Sequence, residues 1–244
     1  MKQTFLHAWW MVLELLRQPS YVVSTVTFPA LFYVIFALPE SKDEASSNLL
    51  LASFSCFAVF GVIFLQFGVG VAQERTKSWY YYLRTLPIGS LHLITARFLS
   101  ALFFSVLAAL AIVVIALIFT EAAMSAQGWI LFGSYLLLGG ISFCTMGLAL
   151  GYWTSEKSSL PVGNLIYLPL SFVGGLWKPP NILPEMLKDI SAHLPTRHYG
   201  ELMWAVVRGD SIDVKNIGYL FAYALVFAMV AYWGFNRDVR VRFS

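Results

Sequence analysis

Apolar residues in this chain come in long unbroken runs, not in the short alternating or one-faced stretches of a water-soluble fold. Uncharged stretches reach from Gln18 to Pro39, Ala45 to Gln73, Phe98 to Thr120, Ala122 to Ser155, Ser158 to Trp177 and Asn216 to Asn236. About 20 mainly apolar residues, wound as a helix, cross roughly 30 Å of hydrocarbon. Trimmed of polar ends, the runs predict six transmembrane helices near residues 20–38, 49–72, 95–119, 129–151, 160–177 and 217–235. Inside a bilayer only helices and closed barrels satisfy their own backbone. Runs this long without strict alternation read as helices, so the expected fold is an all-α polytopic membrane protein.

Three segments outside the runs are amphipathic. In residues 1–18, Phe5, Leu6, Trp9, Val12, Leu13 and Leu16 share one helical face, opposite Gln3, His7, Glu14 and Gln18. A Trp-bearing helix of this kind lies in the plane of the membrane interface. In the loop 73–92, Trp79, Tyr82, Leu83 and Leu86 are spaced i, i+3, i+4, i+7, against Glu74, Lys77, Ser78, Tyr81 and Thr85. That predicts a short helix stopped by Pro87, either docking a protein or lying among lipid headgroups. In 178–215, Leu183, Met186, Leu187, Ile190 and Leu194 form a stripe ended by Pro195. Thr196 is then a candidate cap for a second piece, with Tyr199, Leu202, Met203, Val206 and Val207 on one face and Gly209 closing it. Two short re-entrant helices, as a gate or as plain packing, are expected there.

Composition agrees with the membrane reading. Hydrophobic residues make up 59% of the 244 and charged residues 12%, against about 25% charged in soluble domains; the mean hydropathy is +0.71. Charge also orients the chain, because cytoplasmic loops collect Lys and Arg. Arg75, Lys77, Arg84 and Arg97 flank the second loop, Lys157 lies in the fourth, and Arg237, Arg240 and Arg242 close the chain, whereas Glu121 stands in the third loop without a base. Both termini are therefore expected in the cytoplasm, in a multi-pass protein of a bacterial inner membrane. Gly133, Gly140 and Gly147 recur every seven residues, and Gly147 with Gly151 makes G-x-x-x-G, a pattern that lets helices approach closely within a chain or between copies. Cys56 and Cys144 sit singly in apolar runs, as buried small side chains do.

No G-x-x-x-x-G-K-[ST], H-E-x-x-H or G-x-S-x-G occurs in the sequence, so no nucleotide, zinc-protease or serine-hydrolase site is indicated. No cofactor or metal is expected on this chain, and no nucleic acid partner. The trimmed spans hold essentially no Asp, Glu, Lys or Arg apart from Arg97 near one end. Proton- and ion-driven transporters rely on such groups. If the protein moves a solute, the energy comes from elsewhere. The available lining is aromatic and hydroxylic, with Phe60, Phe64 and Phe67 on the second span and Asn164, Tyr167 and Phe172 on the fifth. These suit an amphipathic or hydrophobic substrate and equally suit ordinary packing.

In order and spacing these features resemble the membrane subunit of ATP-binding cassette type-2 transporters, the bacterial half-size permeases. The stretch Gln73-Glu74-Arg75-Thr76-Lys77, running through Leu83-Arg84-Thr85-Leu86-Pro87-Ile88 to Ala96-Arg97, is similar to the block that follows the family's second span. Asn164-Leu165-Ile166-Tyr167-Leu168-Pro169-Leu170 is similar to its fifth-span core. Gly174-Gly175-Leu176-Trp177-Lys178-Pro179, Leu183-Pro184 and Leu194-Pro195 resemble its outer signature, although a Ser-Gly pair is common where Gly174-Gly175 stands and Lys178 takes a usually apolar place. The resemblance implies an ATPase partner that binds ATP and Mg, and a second membrane subunit, identical or different. It implies a coupling helix made by Glu74, Arg75, Lys77, Trp79, Tyr82, Leu83, Arg84 and Pro87, with Glu74 pairing to steady the bundle. It implies a path between the second and fifth spans and an outer gate at Gly174, Gly175, Pro179 and Pro184. The expected function is export by a non-enzymatic permease subunit; a non-transporting sensor or scaffold is the alternative, and a lipid enzyme is disfavoured by the missing polar site.

Overall fold

The computed structural model describes residues 2–78, 90–178, 180 and 183–243. Among the described residues there are nine α-helices and no strand: α1 (Lys2–Leu16), α2 (Pro19–Phe32), α3 (Glu44–Glu74), α4 (Ser90–Phe119), α5 (Ala126–Trp153), α6 (Ser159–Val173), α7 (Glu185–Ser191), α8 (Pro195–Arg208) and α9 (Val214–Phe243). Pro29 removes one backbone donor inside α2, and four residues later the helix widens into a π turn, Tyr33–Ala37, and then tightens into a 3-10 turn, Leu38–Glu40. Such single π turns are tolerated where the regular hydrogen-bond ladder is interrupted.

Among the described residues, five helical stretches are long and apolar enough to cross a membrane: Pro19–Glu40, Glu44–Glu74, His92–Phe119, Ala126–Trp153 and Val214–Arg240. The fifth expected span stops early. α6 has 15 residues, about 22 Å of helix, short of the hydrocarbon thickness. It ends at Gly174 and at Gly175, whose φ of +84° favours glycine. The chain beyond, Gly174 to Leu176, is buried and returns its amides to Leu170, Phe172 and Ser171 carbonyls. Non-helical backbone is acceptable at membrane depth when protein covers it.

α3 is the axis. In its apolar window 89% of residues are buried, against 17% in α9, and α2, α4, α5, α6 and α8 all pack on it. Asp43 caps its start: Ser46 donates its amide to the Asp43 carboxylate at 2.7 Å, and that bond holds the Asp43 carboxyl below its ordinary value. The seam between α3 and α5 is close because glycines line it. A Cβ on Gly147 would lie 2.7 Å from the Phe64 carbonyl, and one on Gly151 2.6 Å from Val71. Gly133, the first of the seven-residue series, faces open space. The repeat therefore serves packing within the chain at Gly140, Gly147 and Gly151. Cys56 and Cys144 are buried and free.

α1 packs on α4 and leaves most of the expected apolar face outward, where an interfacial helix meets lipid. Thr4, Ala8 and Val12 are buried, with His7, Met11 and Leu15 partly so; Phe5, Leu6, Trp9, Trp10 and Leu16 stay exposed. Small side chains let α1 approach α4, and the bulky rings are left for lipid.

Candidate functional site

α3, α4, the α5–α6 turn, α9 and α1 converge at one end of the bundle around Arg75 and Arg97. α3 ends in Gln73-Glu74, and Arg75 follows as its cap. The Glu74 carboxylate pairs with the Arg97 guanidinium of α4. This closes the loop 75–89 at its root. Gly70, one turn earlier, makes room: a Cβ there would sit 3.1 Å from Arg97 Nη1. Arg75 turns the other way. Its Nη1 donates to Asp238 Oδ1 of α9 at 2.5 Å, and its Nη2 donates to the Thr154 carbonyl at 2.5 Å. Thr76 Oγ1 shares its one proton between the Gln73 carbonyl at 2.7 Å and the Glu156 carboxylate at 3.0 Å.

His7 of α1 lies half-buried beside this cluster. Burial, and secondly the Arg97 charge, hold its imidazole below the ordinary value of 6.5, with Glu14 acting in the opposite sense. The neutral form is the one that fits. Of the residues expected to couple, Glu74, Arg75 and Lys77 stand at this root, Lys77 being exposed. Trp79, Tyr82, Leu83, Arg84 and Pro87 lie outside the described residues. Asp238, Thr154 and Glu156 were not among the expected site residues. The only local signal was one acid in a basic C-terminal tail, and nothing in its spacing points to position 75.

Of the expected lining residues, the structure brings Phe60 and Tyr167 into ring contact, with centroids 5.1 Å apart. Phe60, Phe64 and Phe67 are fully buried in α3, where Phe60 packs on Phe143 of α5 with ring centroids 4.2 Å apart. Tyr167 is 2% exposed and spans from α6 to α3, donating to the Phe57 carbonyl at 3.0 Å. Gly61 leaves room for its ring. Burial in the core of one chain satisfies these rings fully. Asn164 is part-exposed and Phe172 is 36% exposed. Phe172 borders an aromatic cluster in which Trp177 meets Phe32, Phe36 and Phe57, with centroids 5.2, 6.1 and 5.6 Å apart.

At the opposite end α8 is wedged into the bundle. Tyr199, Leu202, Met203 and Val206 are buried, and Gly209 closes the helix in the left-handed region, as the stripe predicted. Tyr199 donates to the Leu136 carbonyl at 2.6 Å, and Trp204 Nε1 to Ser53 Oγ at 2.7 Å. Thr196 does not cap the helix. Leu194 occupies the cap with Pro195 in the first turn, and the Thr196 hydroxyl instead donates to the Leu170 carbonyl of α6 at 2.7 Å, against Gly174. Gly174 is thus a contact point between α6 and α8. Pro184 caps α7 and is exposed, and Pro179 lies outside the described residues. The stripe at α7 is covered only in part: Leu183 is buried and Leu187 and Leu194 partly so, whereas Met186 is 77% and Ile190 47% exposed. His198 stacks on Tyr219 of α9 at 4.2 Å and its Nδ1 lies 2.9 Å from Asn216 Oδ1.

Comparison with known proteins agrees with this architecture. The sequence model of one family, described as ABC-2 type transporter, matches residues 2–207. A Bacillus subtilis (strain 168) protein named "Putative transport permease YvfS" is 27% identical over 224 residues, which cover 89% of this chain and 91% of that protein.

Proposed function

Since the chain belongs to the ABC-2 type transporter family, we propose that it is the permease subunit of an ATP-driven exporter, worked by a separate ATPase seated on the Glu74–Pro87 segment. The solute is hydrophobic or amphipathic. The end bearing Arg75 and Arg97 faces the cytoplasm of a bacterial inner-membrane protein, and a second membrane subunit completes the path. One observation carries the reading: the root of that segment is tied by Glu74–Arg97 and Arg75–Asp238 to α4 and α9. A force applied to the segment from the cytoplasm therefore reaches the spans through side chains, not through slack loop. The ionisable residues of the candidate spans lie near their ends, which leaves no relay with which to harness an ion gradient.

The test is capture of a P-loop ATPase on the tagged permease in mild detergent, followed by ATP hydrolysis by the purified complex. Glu74→Ala and Leu83→Asp are expected to abolish ATP-dependent transport while the spans stay inserted. Repeated absence of an ATPase would favour a sensor or scaffold, and unchanged transport in both variants would remove the segment from the mechanism.

A further inference from the structure

The match to the transporter family ends at residue 207, yet the last turns of α9 send an acid into the root of the 75–89 segment. Asp238 is 7% and Arg75 9% exposed. Arg75 divides its fork between two remote elements, the Asp238 carboxylate of α9 and the Thr154 carbonyl at the end of α5. Thr154 is itself fixed, its hydroxyl donating to the Leu150 carbonyl at 2.6 Å. Thr76, the next residue, holds Glu156 of the α5–α6 turn. Elsewhere α9 leans on α5 through Ser142, which donates to the Leu220 carbonyl, and Trp153, which donates to the Val230 carbonyl, both at 2.9 Å. α9 is otherwise the most peripheral of the long apolar helices.

A buried ion pair is a poor source of net stability, because desolvation offsets most of the attraction. What a guanidinium does well is fix geometry: its planar fork sets distance and angle at once. Here it sets them among α3, α5 and α9 at the point where the coupling segment begins.

We propose that Arg75–Asp238 is a coupling latch. It makes α9 and the α5–α6 turn move with the root of the 75–89 segment, and Asp238 is a positioning residue for passing the ATPase stroke into the bundle. The latch deepens the ATPase-seat reading and rests on it. With the latch cut, the ATPase still binds, but its hydrolysis no longer responds to the permease.

The experiment uses the full chain in nanodiscs, alone and with its captured ATPase, as wild type, Asp238→Asn, Arg75→Gln and the reversed pair Arg75→Asp with Asp238→Arg. Backbone hydrogen exchange is read in peptides 74–78, 230–240 and 50–65. Either single variant is expected to raise exchange at least tenfold in both 74–78 and 230–240 and to leave 50–65 unchanged, and the reversed pair is expected to restore protection in 230–240. In the complex, Asp238→Asn, which lies outside the ATPase seat, is expected to capture the ATPase as wild type does while its ATP turnover falls back to that of the isolated ATPase. No change at 230–240 in Arg75→Gln, a rise that includes 50–65, or no recovery in the reversed pair overturns the latch. Wild-type protein that captures no ATPase overturns the functional reading instead, and the exchange measurements still judge the latch on their own.

Discussion

Asp238 and Arg75 form a pair whose side chains are 5% and 11% exposed. Losing one partner loosens the join between α3 and α9. Asp238→Ala is therefore expected to lower the thermal midpoint in detergent measurably while the α3 core stays protected. The same change at Asp210 is expected to do little, since its pair with Arg208 is 58% and 49% exposed and such pairs contribute at most about 1 kcal/mol. His7 gives a pH signature. Its folded pKa lies below the ordinary 6.5, so the neutral imidazole's contribution is complete above that value and is lost as pH falls through the lowered one. Thermal stability is expected to drop between pH 7.5 and pH 5 in wild type, and to drop less in His7→Gln. An equal slope in both would remove His7 from the contact between α1 and α4.

At the scale of elements, the seam between α3 and α5 is the feature most open to test. Gly147→Ala places a Cβ against the Phe64 carbonyl and the Phe67 Cβ, at 2.7 and 2.8 Å, where backbone has no room to yield. Overpacking of this kind costs about 1–3 kcal/mol. Gly133→Ala meets nothing within 4 Å and is expected to be neutral, or to gain up to about 1 kcal/mol from helix propensity. Unfolding midpoints of the two variants, measured side by side, check the direction of the repeat. α6 and α8 form the complementary device at the far end: α6 stops short, and α8 supplies buried side chains where the helix leaves off. α7 is different, since Met186 and Ile190 of its stripe stay exposed while Leu183 before it is buried.

For the whole molecule, the ionisable groups sit at the two ends of the bundle and not in its middle. The buried axis α3 runs from the 75–89 root to the α8 wedge, so both ends are connected through a single helix. On this basis the chain alone in liposomes is expected to be inactive without nucleotide, and ATP hydrolysis in the captured complex is expected to depend on an intact permease. Transport by the chain alone, driven by no nucleotide, would contradict the proposal. The family match and the Bacillus subtilis relative cover nearly all of the chain, so the permease character belongs to the molecule as a whole and not to one motif.

The uncharged runs, the stripe of Tyr199, Leu202, Met203 and Val206 and the stop at Gly209 were legible from order and period alone, because hydrocarbon, helix geometry and capping act on neighbours in the chain; the pairing of Glu74 came only from the family resemblance. Other features were decided only in three dimensions. Phe60, Phe64 and Phe67 satisfy the same hydrophobic pattern whether they line a path or fill a core, and only the packing of α5 and α6 around α3 placed them inside. α1 turned its small side chains inward because α4 is close, which no single helix can record. Arg75 and Asp238 stand 163 positions apart. Their meeting depends on how far α9 runs and how α3 and α5 approach through Gly147 and Gly151, and a distance of that kind leaves no trace in local periodicity.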